Sequence, residues 1–138
     1  MADPAESSGQ ERRQHKRLSD VFMVAYRLKT PLDVVMISDG KELAAVAMDI
    51  SEGGLGIDAL QGLAVGSKVR MKFRLINEVA VSSKHLERSF TLDGECRYCE
   101  MSPKQSYRAG ILFKNATDED RGFIAVYIKD QTLAQMGR

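Results

Sequence analysis

Two cysteines, two histidines and no tryptophan make a short inventory for 138 residues, and each shortage excludes something. The cysteines, Cys96 and Cys99, form a single CxxC. Without a second pair they cannot complete a zinc tetrahedron. On a strand, residues three apart face opposite sides, which also removes a shared site. They read as ordinary reduced thiols, and no metal is expected. His15 lies in a basic run and His85 in a polar loop, neither beside a motif that would bring it a nucleophile and an orienting acid. HExxH, P-loop and GxGxxG patterns are absent, so nothing reads as an enzyme and no cofactor is implied. No apolar run approaches the roughly 18 residues of a membrane span. The opening MADPAESSGQE has no apolar signal-peptide core, so a cytoplasmic location is expected. The formal net charge is only +1, so any electrostatic function has to be local.

What is present is a series of short strand patterns. Residues 1–10 are small, polar and aperiodic and read as a disordered lead-in. Val21 to Leu28 fits a helical or a strand face equally well, and its β-branched and aromatic content leans toward strand. Thr30-Pro31 interrupts it and Leu32 to Ile37 resumes it. Ser38-Asp39-Gly40-Lys41 is a hairpin turn. Glu42 to Ile50 returns, SEGG breaks the strand, and LGIDAL follows. Lys68 to Leu75 alternates cleanly, with Val69, Met71, Phe73 and Leu75 on one face and four cations on the other. Phe90 to Tyr98 is another strand, with Gly94 as a candidate bulge, and Tyr107 to Lys114 is the last. Thr117 and Asp120 then have the spacing of a capping box, and three acids suit a helix N-terminus. Phe123, Ile124, Tyr127 and Ile128 form that helix's buried stripe, and it is expected to end near Asp130. Many short antiparallel strands suggest a closed or nearly closed barrel. The expectation is a single mainly β domain over residues 11–131, six strands and a C-terminal α-helix, with 132–138 as a flexible tail.

Two features carry recognition chemistry. One is the run RRQHKR, which contains Arg12 and the pattern Arg13-x-x-x-Arg17. The other is Asp49-x-Ser51-x-x-Gly54 at the end of a strand. Arginine presents a planar donor fork that suits guanine O6 and N7 or two phosphate oxygens. Aspartate offers an acceptor pair to guanine N1–H and N2–H₂. Ser51 adds a short hydroxyl, and Gly54 leaves room for a ring against the backbone. Each feature alone is ordinary: a solvated basic arm, and a turn in which Asp and Ser bond the local backbone. Together they suit a small, flat, doubly charged molecule, and a dianionic nucleotide with guanine bases is one that would match them.

These two patterns resemble the signatures of the PilZ domain, a bacterial receptor module for cyclic di-GMP. RxxxR stands here as Arg13-Gln14-His15-Lys16-Arg17, and [D/N]xSxxG as Asp49-Ile50-Ser51-Glu52-Gly53-Gly54. VAYRL, DISEGGLGI, VGSKVRMKFRL, GECRY and YRAGILF follow in the family's order, so the resemblance covers roughly residues 11 to 130. It implies a six-stranded antiparallel β-barrel with a C-terminal α-helix, and it tips Val21 to Leu28 toward strand. It implies that Arg13 and Arg17 clamp guanines and phosphates, with Arg12 as an added arginine. Asp49 and Ser51 would read a guanine edge, and Gly54 would allow close approach. The chain departs from the family in lacking the tryptophan that some members pack near the ligand; Tyr98 is the candidate substitute. Val79 to Ser89 is longer than the family's usual turn.

The resemblance implies a cyclic di-GMP receptor that orders its arginine segment on binding and signals to an unidentified downstream protein, or through self-association as a homodimer. Motility and surface polysaccharide are the outputs the family suggests. Whether one or two cyclic di-GMP bind stays open. Two alternatives remain: a small barrel that binds nucleic acid, which would need exposed stacking aromatics the pattern lacks, and a PilZ-like adaptor acting by protein contact alone. No DNA, RNA or membrane partner is expected.

Overall fold

The computed structural model describes residues 25–82 and 85–136. Six strands close into one antiparallel barrel: β1 (Tyr26–Ser38), β2 (Lys41–Ser51), β3 (Gly54–Ala59), β4 (Lys68–Ile76), β5 (Glu87–Met101) and β6 (Tyr107–Phe113). Around the barrel the order is β1-β2-β3-β6-β5-β4. One helix, α1 (Asp118–Met136), follows. This is the architecture the strand pattern implied. Among the described residues no helix is long and apolar enough to cross a membrane.

The turns form where their chemistry places them. Asp39 and Gly40 take positive φ of 53° and 74°, the geometry a two-residue hairpin requires. Lys29, Thr30 and Pro31 fall inside a register shift between Arg27 and Leu32, so Pro31 bends β1 without ending it. Proline has no N–H to give a ladder, and a bulge is where a strand tolerates it. Tyr26 to Leu28 belong to β1, while Val21 to Val24 lie outside the described residues. The barrel closes between β1 and β4 over three pairs, Val35↔Lys72, Met36↔Met71 and Ile37↔Arg70.

Every second side chain of β4 fills the interior: Val69, Met71, Phe73 and Leu75 are buried. Phe73 stacks on Phe90 with centroids 4.7 Å apart, and Phe123 of α1 meets Phe90 edge-on at 6.0 Å, so the helix plugs an aromatic end of the barrel. The helix starts on a reciprocal cap. Asp120 N donates to Thr117 Oγ1 and Thr117 N donates to Asp120 Oδ2, both at 3.0 Å.

Several local expectations are corrected. The helix does not stop near Asp130 but continues to Met136. Fully buried Asn77 donates to Asp130 (3.0 Å) and accepts from Gln131 (3.1 Å), and Gln135 donates to the Tyr26 hydroxyl (2.7 Å). These bonds fasten the last turns to the barrel. Gly94 is not a bulge: it pairs regularly with Val69 and Phe113, and a Cβ there would meet the Ile111 Cγ2 at 2.6 Å. The register shift of β5 lies instead between Cys96 and Tyr98. That shift overturns the opposed-faces argument for the cysteines. Cys96 pairs with Ile111 and Cys99 with Ala109, both inward-facing, so the two free thiols share the interior side. Burial, and then neighbouring Cys99, pushes the Cys96 thiol up, away from reactive thiolate. Finally, Glu87 to Ser89 are strand, which shortens the expected Val79 to Ser89 extension.

Candidate functional site

The segment Asp49-Ile50-Ser51-Glu52-Gly53-Gly54 joins β2 to β3. The Ser51 hydroxyl is buried, accepts from Gly53 N at 3.2 Å and donates to Gly54 O at 3.5 Å, so it holds the turn in shape. Gly53 O in turn accepts from Phe113 N at 2.8 Å, tying the turn to β6. A Cβ on Gly54 would run into the Ile111 carbonyl oxygen. The room that Gly54 leaves is therefore occupied by the neighbouring strand, and its first service is to barrel closure rather than to a ligand.

A register shift between Ala47 and Asp49 sets the direction of the next residues. Ala47 and Ile50 are wholly buried, while the Asp49 side chain reaches the outer face. Across the strands Asp49 pairs with Gly56, Gly56 with Gly110, and Gly110 with Tyr98; on the other side Asp49 pairs with exposed Arg27. One row thus runs across five strands: a cation, a carboxylate, two bare glycines and an aromatic ring.

The ends of this row lean over its middle. Asp49 Oδ2 lies 2.9 Å from where a Gly56 Cβ would sit, and a Gly110 Cβ would collide with the Tyr98 ring. Between them is a slot of about 10 Å³, lined also by Arg108. Arg108 pairs with Asp58 at 3.4 Å on the exposed side. The Tyr98 phenol is pushed up, first by burial and then by the charge of Asp49. Among the described residues no hydrogen bond or ion pair engages the Asp49 carboxylate. The face therefore presents an acceptor pair and a ring, folded down over the two glycines, with two guanidiniums at its rim. That set can read a purine edge, stack on its face and balance phosphate charge. Among the described residues no three His, Cys, Asp or Glu side chains gather as metal ligands.

The PilZ domain family matches residues 11–130. The chain belongs to the PilZ family. The PilZ barrel described here is similar to the PilZ domain of YcgR from Escherichia coli, solved with c-di-GMP, at a TM-score of 0.57 and 15% identity, covering 89% of this chain and 97% of that one. It is also similar to the Bacillus subtilis inhibitor of motility MotI/DgrA (TM-score 0.64, 19% identity, 80% of this chain) and to the K. pneumonia MrkH–c-di-GMP complex (TM-score 0.57, 17% identity, 83% of this chain). The PilZ domain here spans about half of those two chains, 51% and 53%. At these identities the likeness is one of fold. No curated protein sequence matches the chain.

Of the sequence-derived site residues, the PilZ fold brings Asp49, Ser51 and Gly54 together at one hairpin, with only Asp49 offering its side chain to the outer face. Arg12, Arg13 and Arg17 lie outside the described residues. Arg27, Gly56, Arg108 and Gly110 were missed. Their signal is faint: the alternation of Gly54 with Gly56, and YRAG, in which Arg108 and Gly110 share a face.

Proposed function

We propose that this PilZ domain is a receptor for cyclic di-GMP that takes the nucleotide across the outer face of β2, β3, β6 and β5 and passes the signal to another protein. The observation that supports it best is the row Asp49–Gly56–Gly110–Tyr98. A guanine placed over Asp49 and Tyr98, which the two glycines let lie flat on the barrel, would give its N1–H and N2–H₂ to Asp49 and its face to Tyr98, while Arg108 and Arg27 stand near the phosphates. Arg13 and Arg17, with Arg12 beside them, would close over the ligand from upstream. Ser51 and Gly54 serve this reading by fixing the turn that aims Asp49. The role is that of a binding protein acting in the cytoplasm, with motility or surface polysaccharide as the output the family suggests.

Calorimetry with cyclic di-GMP tests the reading. Micromolar or tighter binding is expected, with the ratio of ligand to protein reporting whether one or two nucleotides bind. Asp49→Ala should weaken it by about 1.5–3 kcal/mol, the contribution of hydrogen bonds to a charged group. Arg17→Ala should abolish binding with the β-sheet circular dichroism unchanged. Equal affinity for the nucleotide in wild type and Asp49→Ala, or preference for a single-stranded oligonucleotide, would overturn the proposal.

A further inference from the structure

The barrel has a second charged face, on the wall opposite β3. In the order β1-β2-β3-β6-β5-β4, β4 stands three strands from β3 in either direction. Its outward side chains are Lys68, Arg70, Lys72 and Arg74, all exposed and all of one sign. In a chain of net charge +1 this is a local concentration. Counter-charges reach only part of it. Arg70 is held by Asp93 at 2.9 Å and Arg74 approaches Glu87 at 3.7 Å. Lys68 pairs in register with Glu95, but that carboxylate is taken by Arg97 (3.1 Å) and Lys114 (3.6 Å). Lys72 lies between Val35 of β1 and Thr91 of β5, with no acid in its row.

The same face has an apolar opening. The last pair between β1 and β4 is Ile37↔Arg70, so the start of β4 is uncovered. A cleft of about 470 Å³ lies there, with Ile37 and Val69 as apolar lining, the cations Lys68, Arg70 and Lys114, and the acids Asp93 and Glu95, which are engaged by Arg70 and by Arg97 and Lys114. It has room for one large apolar side chain. Val35, 37% exposed, adds apolar surface beside Lys72.

We propose that this wall is a docking surface for an acidic protein segment that carries an apolar anchor residue. Same-face side chains of β4 repeat about every 6.6–7 Å, and those of an extended peptide repeat at the same spacing. Acids at alternate positions of such a segment meet Lys68, Arg70, Lys72 and Arg74 in step, and the anchor fills the cleft. The stripe and the cleft contain no aromatic ring on which bases would stack, which favours protein over nucleic acid. A recessed cleft favours a side chain over a flat lipid surface. The proposal does not depend on nucleotide binding, because the two faces share no residue.

The test uses the full chain and a synthetic 11-residue peptide of alternating glutamate and threonine with a central phenylalanine, followed by amide chemical shifts in NMR and by titration at two salt concentrations. Shifts should fall on β4 and the adjoining residues of β1 and β5, and affinity should fall as salt rises. Lys68→Glu combined with Lys72→Glu should weaken the peptide by at least about tenfold. These lysines are exposed and, among the described residues, unpaired, so the melting temperature and cyclic di-GMP affinity of the double variant should stay those of wild type. Replacing the phenylalanine with glycine should weaken the peptide further. The proposal is overturned by no peptide binding, by equal binding of the double variant, or by shifts on the Asp49–Tyr98 row. It is also overturned if oligo-dT or phosphatidylserine vesicles take the β4 face more tightly than the peptide.

Discussion

Asp49 and Tyr98 reach toward each other over two residues that have no side chains. This makes the ring's contribution separable from its hydroxyl. Stacking a base on an aromatic face contributes about 1–3 kcal/mol. Tyr98→Ala should therefore cost cyclic di-GMP affinity on that order, and Tyr98→Phe should leave it nearly intact; a titration of each variant decides. Gly54 behaves differently. Its missing Cβ is replaced by the Ile111 carbonyl, a backbone group that cannot swing aside. Gly54→Val should lose on the order of 3 kcal/mol of stability in urea unfolding, before any effect on ligand. This reverses the expectation that Gly54 chiefly admits the nucleotide. Asp49, Ser51 and Gly54 were legible because their motif is local. The pairing of Tyr98 with Gly110 was not, because an extra residue at Arg97 shifts β5 against β6, and no pattern within β5 reveals where that residue falls.

Among the elements, α1 was read more fully at its start than at its end. Its start is written within four residues, Thr117 to Asp120, and the cap formed as read. Its end is also signalled locally, by the helix formers of Gln131 to Met136 with Gly137 after them, but the expectation followed the buried stripe alone; Asn77, 53 positions before its partner Asp130, ties the last turns down. Asn77→Ala removes both side-chain bonds that Asn77 makes to the helix and leaves a gap at a buried position, and should cost about 1–3 kcal/mol, with faster amide exchange in residues 131–136. The cap also predicts a pH effect. Burial alone would push the Asp120 carboxyl up, but the Thr117 amide, the Arg88 guanidinium and the Thr117 hydroxyl together hold it below its ordinary value. A carboxyl lowered on folding contributes in full above its unfolded pKa, about 4, and loses that contribution as pH falls through the lower folded value. Asp120→Asn should therefore be less stable than wild type at neutral pH, and the gap should narrow below about pH 4. A gap independent of pH in parallel thermal melts would show that the charge is not what matters. The strands were easier to read than the helix end, since the alternation of β4 carries its own inside and outside.

At the scale of the molecule, the barrel is closed unevenly. Six pairs join β3 to β6, and three join β1 to β4. Local opening takes the route that breaks the fewest hydrogen bonds and exposes the least apolar surface. Hydrogen exchange should therefore be fastest, among the inter-strand ladders, between Val35 to Ile37 and Lys72 to Arg70, and slowest between β4 and β5, which nine unbroken pairs join. Uniform protection around all six ladders would contradict this. The sequence indicated six strands and their alternation, but not that β1 slips against β2 between Arg27 and Leu32, nor that three pairs close β1 on β4. A cylinder fastened so unequally comes apart like a coat with one short zip. It parts first along the wall that faces away from Asp49 and Tyr98, so transient loosening of the fold leaves the five-strand row of recognition groups standing until the molecule as a whole unfolds.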